Sequence, residues 1–289
     1  MKTILVPTDF SKYAQWALRL AVTVARQAKC SILLLHVVEH PISDSFNVEG
    51  QVATDGGWED KLYTLKLIER ARKELAKTVS ELAAQDIDTK TILRMGNPFH
   101  AISHEVQEKE ADLVVMGVAG ESNIKNLTYG SNTDKVIRFI KCPVLTVSED
   151  PGNHAFRDIV YATSLAEEER NFGYVVKGIQ QLFNSTIHLV RINTPMVFKP
   201  DREVLPVMEK FADKLNLGNY IAHTPADLDA ETGIVHFASK VNAGLICMTT
   251  HGYRGLKLLV MGSIAENVIR HTRKPVLTWV TQDEPLLQE

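Results

Sequence analysis

The apolar positions of this 289-residue chain change period in a regular way. Ile4–Val6 is a short apolar run ending at Pro7, the pattern of a strand. Beyond Ser11 the residues Ala14, Ala17, Leu18, Ala21, Val22 and Ala25 follow the three-and-four spacing of an amphipathic helix, with Ser11 placed to cap it. Ile32–Val38 is a mostly apolar strand long enough to be buried on both faces. Leu65, Ile68, Leu75, Val79 and Leu82 predict a long second helix. Thr89–Arg94 then reads as a strand, Phe99–Lys109 as a helix and Leu113–Met116 as another buried strand. Ser131–Ile140 predicts a last helix, and Val144–Val147 a last strand after Cys142–Pro143. Strands alternating with helices of this length predict a parallel sheet with helices on both faces.

The chain is written twice. ADLVVMG at 111–117 is echoed by AGLICMT at 243–249, and the same offset of 132 carries Gly120 to Gly252, Gly130 to Gly262, Ser131 to Ser263 and Pro143 to Pro275. KTILVPTDFS at 2–11 is echoed by RDIVYATSLA at 157–166, an offset of 155. The second copy is therefore shorter by 155 − 132 = 23 residues between its first strand and its glycine-rich segment. Repeats of this size are whole domains rather than solenoid units. The expected domains are 1–150 and 155–282, joined through the polar segment 148–157 with Pro151 and Gly152. Each is expected to be an α/β domain with a doubly wound parallel sheet, in which ligands bind beyond the carboxyl ends of the strands where strand order reverses.

Composition narrows the function. The charged fraction is 23 % and the net charge −3, with neither half basic, so a broad nucleic-acid or membrane-surface footprint is not expected. Cys30, Cys142 and Cys247 are widely spaced and fit no zinc pattern, which reads as core thiols in a reducing cytosol. The start reads as a strand rather than a signal peptide, and no apolar run approaches the roughly 18 residues of a membrane helix. The expected location is the cytoplasm.

The sharpest chemical signal is Gly117-x2-Gly120-x9-Gly130-Ser131, between a strand and a helix. Glycines permit positive φ and close approach of backbone to a ligand. Gly130 and Ser131 precede a helix whose unpaired N–H groups and dipole favour phosphate oxygens. The same glycines would also suit plain tight turns. Neither a GxxxxGK[ST] loop nor a GxGxxG after the first strand is present, which disfavours Walker NTPases and dinucleotide oxidoreductases.

On these residues the chain resembles the universal stress proteins in their tandem two-domain form. The resemblance spans both halves and rests on ILVPTDFS at 4–11, LLLHVV at 33–38, RMGNPFHAI at 94–102, DLVVMG at 112–117, the glycine motif ending in Gly130–Ser131, and CPVLTV at 142–147. It implies a Rossmann-like, adenine nucleotide alpha hydrolase-like fold and ATP as ligand, with magnesium or manganese as the accompanying cation. By the same resemblance Pro7, Thr8 and Asp9 line the adenosine side, and Val37 contacts adenine. Met116 and Gly117 form the adenine–ribose edge, and Gly120, Gly130, Ser131 and Asn132 hold phosphates. Asp9 equally suits a turn or helix-cap role before Ser11. Gly252, Gly262 and Ser263 are the weaker second-half equivalents.

Departures from the family pattern point to the first half as the nucleotide site. The second half has Thr249 for the first glycine, Ser164 for Asp9, and Leu228-Asp229-Ala230 for Gly96-Asn97-Pro98. In the other direction, Glu121 would repel a triphosphate and Arg254 would favour one. Residues 41–60 carry five acidic side chains and no lysine or arginine, and suit either a lid or partner-docking loop or a solvated excursion. His100 and His104 share a helical face but lack a third ligand nearby, which favours a surface role. No nucleophile–base constellation stands out, so no catalytic residue is assigned.

The resemblance thus implies a stress-response regulator or chaperone-like factor working through nucleotide-dependent conformation, with an unidentified protein partner. The alternatives are a slow ATP-hydrolysing enzyme and a nucleotide-free interaction scaffold. The apolar strands Val144–Val147 and Val276–Val280 need covering, so the halves are expected to pair as a pseudo-dimer, with a further homodimer.

Overall fold

The computed structural model describes residues 1–39, 58–118, 132–152, 155–251 and 264–281. The first half runs β1 (Thr3–Pro7), α1 (Lys12–Ala28), β2 (Ser31–Val38), α2 (Trp58–Ala83), β3 (Thr89–Met95), α3 (Pro98–Glu108), β4 (Leu113–Gly117), α4 (Asn132–Phe139) and β5 (Val144–Val147). The second runs β6 (Asp158–Ala162), α5 (Arg170–Phe183), β7 (Thr186–Val190), α6 (Asp201–Leu215), β8 (Tyr220–His223), α7 (Ala230–Lys240), β9 (Leu245–His251), α8 (Ile264–His271) and β10 (Val276–Thr281). A single 3-10 turn, Glu167–Glu169, precedes α5.

The ten strands form one sheet in the order β3-β2-β1-β4-β5-β10-β9-β6-β7-β8. Pairing is parallel within each half and antiparallel where β5 meets β10, with Leu145 opposite Leu277. The two apolar last strands thus cover each other, and the tandem chain closes its own dimer-like seam.

Strand alternation feeds two helical layers. Ile4 and Val6 join a core with Leu20 of α1, Leu75 of α2, Phe172 of α5 and Met208 of α6. Leu5 points the other way, to a core with Ile102 of α3, Ile137 of α4, Ile234 of α7 and Val268 of α8. Each core runs through both halves, so the apolar residues of the two copies are buried together. Three cysteines lie buried in these layers. Burial pushes the Cys142 thiol up to about 12.

Several predicted extents are corrected. Of the predicted α2 face Leu75 and Leu82 are buried and Leu65 is exposed, while Thr64 and Ala71 complete the inward side. The helix also begins at Trp58, inside the acidic segment, whose residues 41–57 lie outside the described residues. Ser11 does cap α1, accepting from Ala14 N at 3.3 Å.

Candidate functional site

In the first half the strand order reverses between β1 and β4, the place where α/β sheets open a crevice. Pro7 ends β1, Thr8 and Asp9 follow it, and Met116 and Gly117 end the neighbouring strand β4. Val37 lies half-buried near the end of β2. Asn132 is the first residue of α4. These seven predicted residues are described; Gly120, Gly130, Ser131, Gly252, Gly262 and Ser263, with Glu121 and Arg254, lie outside the described residues.

The loop after β1 is built by local bonds. Phe10 adopts φ 63°, and its N–H donates to Thr8 Oγ1 at 3.1 Å. Asp9 is exposed and accepts from Ser11 N at 2.9 Å, so the cap-type role foreseen for it is present. His36 Nδ1 lies 2.7 Å from the Thr8 carbonyl. Because that carbonyl can only accept, the proton must sit on Nδ1. The His36 ring also packs against Phe10, tilted by 30° with ring centroids 4.6 Å apart. Histidine, strand end and loop are thereby one rigid unit.

Gly117 has a different reason from the one its motif suggested. It is a strand residue without positive φ, and a Cβ there would lie 2.3 Å from the Tyr13 carbonyl carbon. The glycine lets the first turn of α1 press onto the end of β4.

The second half solves the same junction differently. Thr249 replaces that glycine, and the chain forms its 3-10 turn at Glu167–Glu169 before α5 begins at Arg170. Leu165, at φ 67°, repeats the Phe10 conformation, and Leu165 N donates to Thr163 Oγ1 at 2.9 Å as Phe10 N does to Thr8. Glu169 then folds beneath the loop. It accepts from Ser164 N at 3.1 Å and Ser164 Oγ at 2.5 Å, and Thr163 Oγ1 donates to its other oxygen. Glu169 is buried. It supplies from below the carboxylate that Ser164 no longer provides.

Beside this junction is a cavity of about 740 Å³, within the range of small-molecule sites. The ends of β6, β7 and β9 form its floor through Ala162, Val190 and Met248, with Ile192 and Thr249 just beyond or within them. Ile234 of α7 and Ala265 of α8 wall it. Among the described residues its charged lining is Glu169, Arg191, Asp229, Glu266 and, from the first half, Arg138. Arg138 grips Glu266 through its Nε and Nη2 donors, one to each carboxylate oxygen. Asp229 caps α7 by accepting from Thr232 N at 2.8 Å, a bond that holds its carboxyl below the usual range. Asn97 does the same for α3, accepting from His100 N. The Leu228-Asp229-Ala230 departure therefore keeps the cap.

Sequence reasoning missed this cavity and Glu169. The available signal was the acidic triplet at 167–169 standing where the first copy begins its helix. Elsewhere, Glu105 is fully buried and bound by Arg94 at 2.5 Å and His104 at 3.3 Å, which gives His104 a structural partner. Among the described residues no three His, Cys, Asp or Glu side chains converge as a metal site, and no helix is long and apolar enough to cross a membrane.

A model of the universal stress protein family matches residues 1–148 and again 155–279. A universal stress protein of Methanocaldococcus jannaschii is 30 % identical over 153 residues, covering 50 % of this chain and 94 % of the relative. The universal stress protein YxiE of Bacillus subtilis is 29 % identical over 150 residues, covering 50 % of this chain and 97 % of its own. The crystal structure of a universal stress protein from Archaeoglobus fulgidus superposes with a TM-score of 0.77 over 97 % of this chain and 98 % of its own, at 19 % identity, a likeness of fold.

Proposed function

Because the chain belongs to the universal stress protein family, we propose that its first half binds ATP and that occupancy rather than turnover is its output. The protein then acts as a stress-response regulator or chaperone-like factor. The observation that carries this reading is the meeting of Pro7, Thr8 and Asp9 with Met116 and Gly117 at the strand-order reversal, on the same edge from which the glycine motif leads into α4.

The residues present fit an adenine nucleotide. Val37 is half-buried beside a loop that His36 holds rigid, offering an apolar surface to a base, and Asp9 is exposed at the strand edge as a ribose acceptor. Asn132 opens a helix whose N-terminal N–H groups suit phosphate oxygens. Magnesium or manganese enters as the nucleotide's own counter-ion, with Asp9 as the nearby carboxylate. Bound nucleotide would tie the β1 loop to the start of α4, elements set on two adjacent strands, and so couple occupancy to surface shape. A homodimer in the cytoplasm belongs to the same reading.

The test is mass analysis of nucleotide released by heating the purified protein, scaled to chain concentration, followed by titration with ATP. About one ATP per chain, with affinity reduced by Asp9→Ala and Gly130→Val, is expected. No released nucleotide and no binding in titration would overturn the reading.

A further inference from the structure

Among the described residues, the second-half cavity is lined mostly by apolar side chains. Its walls are apolar, chiefly Ala162, Val190, Ile192, Ile234, Met248 and Ala265. Thr163 Oγ1, Ser164 N and Ser164 Oγ of the loop after β6 all donate to Glu169, whereas Asp9, in the matching first-half loop after β1, accepts from Ser11 N. Three carboxylates, Glu169, Asp229 and Glu266, line the space, and each already has its own donors: the Thr163 and Ser164 groups, Thr232 N and Arg138 respectively. Arg138 is engaged by Glu266.

Arg191 is the contrasting group. It stands where the first half has His36, an offset of 155, and lines the cavity. Its partners are neutral: Nη1 donates to Asn193 Oδ1 at 2.8 Å and Nη2 to the Val197 carbonyl at 3.3 Å. Among the described residues it makes no ion pair. A guanidinium carries five N–H donors, so donors remain for an anion. The bond to Val197 places it at the mouth, because Met196 beside it is 95 % exposed. Leu228, also a lining residue, is 83 % exposed. Large apolar side chains held in water around the opening of a mostly apolar cavity mark a binding mouth.

We infer that this cavity binds a small amphipathic carboxylate of the fatty-acid class, with its chain among Ile192, Ile234 and Met248 and its head group on Arg191. The site is separate from the nucleotide edge of the first half and does not depend on it. The change that made room for it is coupled: Thr249 excludes a helix turn packed as α1 packs on Gly117, and the 3-10 turn that replaces it brings Glu169 under the loop.

Dodecanoate and dodecanol, titrated calorimetrically into the full chain with ATP in excess, test this. One dodecanoate per chain is expected, undisturbed by ATP. Arg191→Gln should weaken it at least about tenfold, the value of a charge-assisted bidentate contact, while leaving dodecanol within about twofold. A diazirine-bearing dodecanoate on the unmodified protein should label peptides containing Met196 or Leu228, a readout that needs no variant. Absence of dodecanoate binding, displacement by ATP mole for mole, an Arg191→Gln variant that binds dodecanoate as tightly as the parent, or labelling elsewhere would each overturn the assignment.

Discussion

Arg138 of α4 and Glu266 of α8 form a two-point ion pair across the seam between the halves, with the Glu266 side chain only 1 % exposed. Arg270 and Asp134 repeat it in the opposite sense at 3.6 Å. Adding 132 to Arg138 gives Arg270, and adding it to Asp134 gives Glu266. The seam has the reciprocity of a two-fold dimer interface, with one chain supplying both sides. The strands agree: Thr146 Oγ1 donates to the Val276 carbonyl at 3.2 Å, and Thr278 Oγ1 to the Val144 carbonyl at 3.4 Å.

Breaking that pair on one side should be costly. Glu266→Gln removes the buried charge that Arg138 holds across the seam, and urea unfolding should record a loss of about 3 kcal/mol. A loss under about 0.5 kcal/mol would mean that solvent compensates Arg138 fully.

Gly117 and Thr249 occupy equivalent positions with opposite tolerance. Gly117→Ala places a Cβ against the Tyr13 backbone, which cannot yield as a side chain would, and should cost at least about 2 kcal/mol. Thr249→Gly, at the cavity, should cost less than half as much. Equal losses in thermal or urea unfolding would contradict the proposed difference in helix packing.

Left-handed residues give a stabilising prediction. Lys29 at φ 54° and Glu110 at φ 47° end α1 and α3, where the second half has Asn184 at φ 51° and Asn242 at φ 49°. Asparagine tolerates this conformation better than lysine or glutamate. Lys29→Asn and Glu110→Asn should each add about 0.5 kcal/mol, read as a raised urea midpoint with unchanged slope.

A histidine pair sets a pH dependence. His223 lies 3.1 Å from His188, and burial, then His188, then Lys240 hold its pKa below the ordinary histidine value. Asp158 stands 3.6 Å from His188 on the other side. A lowered folded-state value favours the neutral ring, so the contribution is complete above about pH 6.5 and is lost as pH falls through that value toward the folded one. Melting temperatures should fall between pH 7.5 and 5.5, and His223→Gln should flatten that slope. An unchanged slope in the variant would assign the effect to other groups.

The cap of α1 was legible because it is local. Ser11 bonds the N–H three residues ahead, a relationship that spacing encodes; Asn97 and Asp229 bond in the same way, but the spacing around them did not single them out as caps. The strands at Val144 and Val276 were legible for a related reason: an apolar edge must be covered, and the repeat named its partner. The start of the inward face of α2 was not, because Leu65 and Thr64 differ by one residue and only packing against the sheet decides which is buried.

The sequence by itself determined the duplication and the alternation of strand and helix, because periodicity and repetition are written along one dimension. The family resemblance, together with the need to cover apolar edges, supplied the pairing of the two last strands and the grouping of Pro7, Thr8, Asp9, Met116 and Gly117. Tertiary structure alone decided that Glu169 sits under Ser164, that Gly117 serves helix packing, and that Arg191 lines a mostly apolar cavity. Those facts depend on which atoms meet across the sheet, and contacts between residues tens of positions apart are fixed by packing, not by spacing.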